Sequence, residues 1–215
     1  VAAYMTFDFR SDGSPYDAFL RGEAALSDQA EAGRVLFYGK AGCGNCHSGA
    51  LLTDMTYHAM GDPQIGPGKA ERFERHQRDT GRMRVSNNPA DAYAFRTPSL
   101  RNVTLTAPYG HAGTYRDLSD YLRHHMAPGS GLADYDLSHA ILPAMEVGKP
   151  DLAPGEEASN YAAIANAIKA PAISLSEQEF NSIMAFLKAL EDPLAVAGGR
   201  MGIPDSVPSG LPIDR

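Results

Sequence analysis

Cys43-Gly44-Asn45-Cys46-His47 places two thiols and an imidazole within five consecutive residues. Thiols three positions apart on a turn can add across the two vinyl groups of one haem. The imidazole that follows is then held under the iron as its proximal ligand. A bare C-x-x-C also suits a redox dithiol or half of a zinc site. The chain has only two cysteines, so no second pair completes a zinc cage, and no βαβ pattern surrounds the motif. The adjacent histidine favours one covalent haem c, held by Cys43 and Cys46 and ligated by His47.

A haem iron has a sixth position, and its occupant decides between electron transfer and peroxide chemistry. The histidines available are His47, His58, His76, His111, His124, His125 and His139. Leu118, Tyr121, Leu122 and His125 fall at i, i+3, i+4 and i+7, one face of a helix with His125 on its apolar side. His124 is rotated about 100° away. Met126 follows Leu122 at i+4 and is the competing ligand. An open sixth position is the remaining alternative. His58 and His111 sit in Gly-flanked segments and read as hydrogen-bonding supports. A lone histidine on an apolar face is ordinarily a satisfied core residue, but here the iron needs a partner.

Elements must bring these residues together. The chain has 215 residues, 43% hydrophobic and 21% charged, enough for one sizeable core. The expected fold class is mostly α: a cytochrome c-like haem domain with long irregular loops, since Gly (21) and Pro (15) are plentiful. Residues 1–25 carry little periodicity and read as a lead-in segment, or the end of a helix. A haem-binding core runs over 26–126. Within it Ser27 caps a helix from Asp28 to about Tyr38, with Asp28 and Glu31 in its first turn, and Gly39 and Gly42 end it. Residues 48–95 read as irregular, with a Pro63, Gly66, Pro67, Gly68 loop. Arg72, Arg75, Arg78, Arg82 and Arg84 form a basic run that reads as a solvated face. Residues 127–172 form a loop-rich excursion with a short helix at 157–169. A C-terminal helix lies within 173–192, opened by the Ser176/Glu179 capping pattern, striped by Phe180, Ile183, Met184, Leu187 and Leu190, and stopped by Pro193. Residues 193–215 read as a coil tail.

The net charge of −7 argues against nucleic acid or anionic membrane as partner. It would attract a basic donor protein, and ordinary solubility explains it equally well. No stretch approaches the roughly 20 apolar residues of a membrane span. Val1-Ala2-Ala3-Tyr4 lacks a basic start and an apolar run, so the chain reads as a mature or trimmed product. Haem consumes both cysteines, which excludes a disulfide. Covalent haem attachment takes place outside the cytoplasm, so the periplasm is the expected location.

Longer motifs carry a resemblance. Leu36-Phe37-Tyr38-Gly39-Lys40-Ala41-Gly42-Cys43, continuing to His47-Ser48-Gly49, resembles the second haem site of bacterial dihaem cytochrome c peroxidases. So do Phe95-Arg96-Thr97-Pro98-Ser99-Leu100-Arg101-Asn102-Val103 and Leu105-Thr106-Ala107-Pro108-Tyr109-Gly110-His111-Ala112-Gly113. Val207-Pro208-Ser209-Gly210-Leu211-Pro212 resembles the tail of the MauG-like branch.

In that superfamily an N-terminal haem meets peroxide and a C-terminal haem transfers electrons. The resemblance covers the C-terminal half. It implies an electron-transfer haem domain of a periplasmic peroxidase-like oxidoreductase, partnered by an N-terminal haem domain or chain. A small electron-donor protein or an oxidised protein substrate completes the implied set. The isolated domain would turn over little peroxide. The rivals are a stand-alone monohaem electron carrier and a MauG-like enzyme that oxidises a partner protein. The family's distal ligand, methionine in the peroxidases and tyrosine in MauG-type enzymes, falls seven residues after the leucine matching Leu118, which is His125 here. The family's calcium would take the carbonyls of Thr106 and Pro108. Arg96 and Arg101 match positions near the haem edge, where a guanidinium can pair with a propionate.

Overall fold

Helices alternate with long irregular stretches through the residues that the computed structural model describes, 1–65, 78–140, 157–199 and 205–211. In chain order they are α1 (Ala2–Asp8), α2 (Pro15–Leu20), α3 (Asp28–Tyr38), α4 (Met83–Ser86), α5 (Leu118–Met126), α6 (Pro128–Ala133), α7 (Ala158–Ala167), α8 (Glu177–Lys188) and α9 (Pro193–Val196). Two short strands, β1 (Tyr57–His58) and β2 (Phe95–Arg96), pair antiparallel with Tyr57 opposite Arg96. Gly66, Pro67 and Gly68 of the expected loop, Arg72 and Arg75 of the basic run, His76 and Pro212 lie outside the described residues.

The chain divides into two compact units. The first comprises 1–42, 99–105 and 177–215. Its centre is the crossing of α3 and α8. Ser27 starts α3 by accepting a hydrogen bond from Ala30 N at 3.2 Å, and Asp28 and Glu31 complement the helix dipole. Gly33 lets the helices meet at the backbone, because a Cβ there would overlap the Ser182 carbonyl. Around this point Phe186 is fully buried, edge-on to Tyr16 and Phe37 at centroid distances of 5.1 and 5.2 Å. Burial of each such side chain contributes about 1.5–3 kcal/mol.

The second unit comprises 43–98 and 106–176 and contains the Cys43–His47 motif. One core cluster joins Tyr93, Leu132 and Ile164. A polar clasp sits beside it. The buried Gln64 exchanges hydrogen bonds with the Asp79 backbone (2.6 and 3.1 Å) and accepts from Asn160, whose own oxygen accepts from Tyr93 Oη at 3.0 Å. α5 passes into α6 at Ala127, with Pro128 in the first turn, where its missing N–H costs nothing.

The helices expected at 28–38, 157–169 and within 173–192 are present as α3, α7 and α8. The lead-in holds two separate helices, α1 and α2, where at most one helix end was expected. α2 is set by a reciprocal Ser14/Asp17 capping box with Pro15 in its first turn. The tail differs by opening with α9, capped when Asp192 accepts from Leu194 N at 2.9 Å. The excursion expected after 127 also carries α6.

Candidate haem site

The Cys43–Asn45 stretch is a single 3₁₀ turn. Cys46 N and His47 N both donate to the Cys43 carbonyl, at 3.2 and 2.9 Å. Burial pushes the Cys43 thiol up to about 11, and burial with the nearby Asp54 charge also raises Cys46. Both therefore stay protonated at neutral pH. A working redox dithiol needs the opposite, a stabilised thiolate.

The His47 ring is oriented by backbone. Its Nδ1 lies 3.1 Å from the Leu52 carbonyl oxygen, which can only accept. Nδ1 therefore carries the proton and Nε2 keeps its lone pair for a metal. Leu52 is 1% exposed and adopts φ 52°, so a buried, left-handed residue fixes that carbonyl. Burial lowers the proton affinity of His47, which favours the neutral, ligating form.

His125 repeats this arrangement on α5. Its Nδ1 lies 3.1 Å from the Tyr121 carbonyl, one helical turn back, so Nε2 is again the available nitrogen. Burial brings its pKa down to about 4, with Asp62 opposing and the His124 and His47 charges adding to the fall. The two imidazoles are thus within electrostatic reach of each other. His124, the adjacent residue, is excluded as a ligand by its own bonds. It is 2% exposed, and Nε2 donates to the Met60 carbonyl at 2.9 Å while Nδ1 accepts from Tyr115 Oη at 3.0 Å. Gly131 gives the ring room, since a Cβ there would strike Nδ1. Met126 ends α5, and its carbonyl accepts from Ile173 N at 2.7 Å.

The donor set fits haem c: two thiols on one turn and two neutral imidazoles with oriented Nε2 atoms. Among the described residues, one trio of metal-ligating side chains also stands together, Cys46, Asp54 and His58, with ligand atoms within 4.8 Å of one another. A thioether on Cys46 would reduce it to the Asp54–His58 pair, bonded at 2.7 Å.

Other expected residues are placed as follows. Arg96 is exposed on β2, with its guanidinium 3.4 Å from both Met55 Sδ and the Thr97 carbonyl. Arg101 belongs to the first unit, where it forms a bidentate pair with Asp17, both bonds 2.9 Å. Thr106 and Pro108 are exposed, just before the bridge between Tyr109 and Tyr115. His111 stacks on Phe95 at 3.5 Å and bonds Asp79 at 2.9 Å. Sequence reasoning missed Asp62 and the hydroxyl of Tyr121, joined at 2.8 Å. It also missed the carbonyls of Leu52, Met60 and Tyr121. Burial and Asp62 together hold the Tyr121 phenol protonated well above its usual range.

No family model matches the chain. It is 33% identical over 212 residues to the cytochrome-c peroxidase IdrP1 of Denitromonas iodatirespirans, covering 88% of this chain and 48% of that protein. It is 35% identical over 134 residues to the methylamine utilization protein MauG of Methylorubrum extorquens, covering 60% of this chain and 35% of MauG. The fold is similar to the crystal structure of a MauG-like protein associated with microbial copper homeostasis, at TM-score 0.58 and 27% identity, covering 87% of this chain and 50% of that one. It is also similar to the dihaem peroxidase BthA of Burkholderia thailandensis, at TM-score 0.56 and 22% identity, covering 84% and 46%. The chain spans about half the length of the first of these curated relatives. The mostly helical fold is thus of the cytochrome c type found in MauG-like proteins and dihaem peroxidases.

Proposed function

We propose, for a chain that belongs to the superfamily of bacterial dihaem cytochrome c peroxidases and MauG-like proteins, that this region is an electron-transfer haem domain with bis-histidine ligation. The observation that supports it is the matched tautomer of two histidines. His47 and His125 each give Nδ1–H to a backbone carbonyl and keep Nε2 for iron. Bound haem c supplies one-electron redox chemistry. Cys43 and Cys46 tether it. His47 and His125 would hold the iron, and a haem so held would relay electrons without opening to peroxide. The Leu52 and Tyr121 carbonyls lock the imidazole orientation and raise ligand basicity. Two imidazoles give a lower potential than a His/Met pair, because methionine raises it. That favours holding an oxidised state over drawing electrons from a weak donor.

The partners in this reading are a peroxide-reacting haem domain, in the same gene product or a separate chain, and a protein that exchanges electrons with it. The setting is the periplasm. Thr106 and Pro108 remain the carbonyls through which a calcium ion would be shared with the partner domain.

Optical and EPR spectra of the haem-loaded protein test the ligation. The ferric form is expected to be low-spin without a methionine–iron charge-transfer band. His125→Ala is expected to give high-spin iron that binds added imidazole, and Met126→Ala an unchanged spectrum. The converse pair of results moves the ligand to Met126.

A further inference from the structure

Asp62 is a buried carboxyl beside Tyr121. It is 7% exposed, and among the described residues no cation pairs with it. Its hydrogen bond comes from Tyr121 Oη at 2.8 Å. A buried carboxyl held on a phenol by a single hydrogen bond is placed to take that phenol's proton. Its partner touches the candidate iron ligand twice. The Tyr121 carbonyl holds His125 Nδ1, and the Tyr121 ring meets the His125 ring edge-on, with centroids 4.5 Å apart at 81°. Beyond Tyr121 the contact continues into Tyr115 at 5.3 Å and Tyr109 at 6.5 Å.

A phenol is readily oxidised only when its proton leaves with the electron, and that needs an acceptor already in place. Asp62 is such an acceptor. We propose that Tyr121 is a redox-active residue, which passes an electron through its contact with His125 to an oxidised haem while its phenolic proton passes to Asp62. The inference rests on His125 being the distal ligand. In the step the Tyr121 O–H bond breaks and an O–H bond forms on Asp62. Tyr121 becomes a neutral phenoxyl radical, and the haem gains one electron. The oxidant is a haem iron one oxidising equivalent above ferric, because ferric iron is too weak to oxidise a phenol. Reversal of the same step restores Tyr121. The pair thereby stores one oxidising equivalent beside the iron, and Tyr115 and Tyr109 continue the path for it.

The experiment uses the haem-loaded ferric protein and a photogenerated ruthenium(III) tris-bipyridine complex, a one-electron oxidant that needs no open iron position. Freeze-quench EPR should show a tyrosyl radical. With 3-fluorotyrosine at position 121, an isosteric change, the signal should acquire fluorine splitting. Tyr121→Phe should lose the signal while keeping the low-spin haem spectrum. Asp62→Asn, whose amide cannot accept the proton, should slow radical formation about 100-fold, the low end of a positioned proton acceptor's contribution. A radical without fluorine splitting, or one that survives Tyr121→Phe, overturns the assignment of Tyr121. An unchanged rate in Asp62→Asn overturns Asp62 as acceptor. A methionine–iron band in the starting spectrum overturns the bis-histidine reading instead, and with it the route through His125.

Discussion

His124 offers the sharpest perturbation, because it separates the residue that anchors α5 from the one beside it that is proposed as the distal ligand. The substitution is His124→Leu, which keeps similar bulk and removes both ring nitrogens. The Met60 carbonyl then loses its donor, and an orphaned buried acceptor costs about 1–3 kcal/mol. Tyr115 Oη loses its acceptor but has the Gly131 carbonyl 3.4 Å away as a poorer substitute. Adding about 1 kcal/mol for that weaker bond gives a loss of about 2–4 kcal/mol. A domain of ordinary stability, about 5–15 kcal/mol, would notice this clearly. Guanidinium unfolding of the haem-loaded protein, followed by circular dichroism, measures the loss. His124→Gln, which retains one donor and one acceptor, should recover part of it. The optical spectrum should stay low-spin, since the Tyr121 carbonyl that orients His125 is untouched. High-spin iron in His124→Leu, together with low-spin iron in His125→Leu, would refute the assignment of the two histidines. An unchanged midpoint would refute the anchoring role.

The first unit makes two further expectations. Gly33→Ala must push a methyl group into the Ser182 carbonyl, so thermal denaturation should show α3 and α8 forced apart at about 1–3 kcal/mol or more. Burial pushes Asp17 up, but the Arg101 and Ser14 hydrogen bonds outweigh it and hold the carboxyl below its usual 3.8. A depressed folded pKa means that this stability is present above 3.8 and lost as pH falls below it. Side chains 19% and 7% exposed make the pair a part-buried one, so Arg101→Met should cost about 1–3 kcal/mol at pH 7 and flatten the acid limb of the stability profile. A stability profile unchanged by Arg101→Met would contradict this.

Candidate chemistry was legible in the sequence by residue identity. The C-x-x-C-H spacing marks Cys43, Cys46 and His47 as candidates, and the helical face that begins at Leu118 puts His125 forward with Met126 as its competitor. Helices with strong caps and stripes, α3 and α8, stand where periodicity places them. The rest of the site is written in groups that every residue possesses. The carbonyls of Leu52, Met60 and Tyr121 orient three imidazoles, and no residue type signals such a role. Asp62 was hidden for another reason. Gly61-Asp62-Pro63 reads as turn chemistry, and only the tertiary structure brings Asp62 under Tyr121. α1 and α2 were not legible as two helices because 7 and 6 residues are too few for a period to emerge. The Ser14-Pro15-Tyr16-Asp17 start of α2 was nonetheless a readable capping signal.

The main-chain hold on His125 has an evolutionary consequence. Its acceptor is the carbonyl one turn back in its own helix, so every amino acid except one that breaks the helix would supply the same acceptor at position 121. Orientation of an imidazole at position 125 is therefore inherited with α5 and does not have to co-vary with any side chain. A single codon change at 125 can exchange imidazole for thioether or phenolate while the helix that presents it stays intact. If His125 is the distal ligand, lineages built on this scaffold can thus shift redox potential by one substitution without rebuilding the fold.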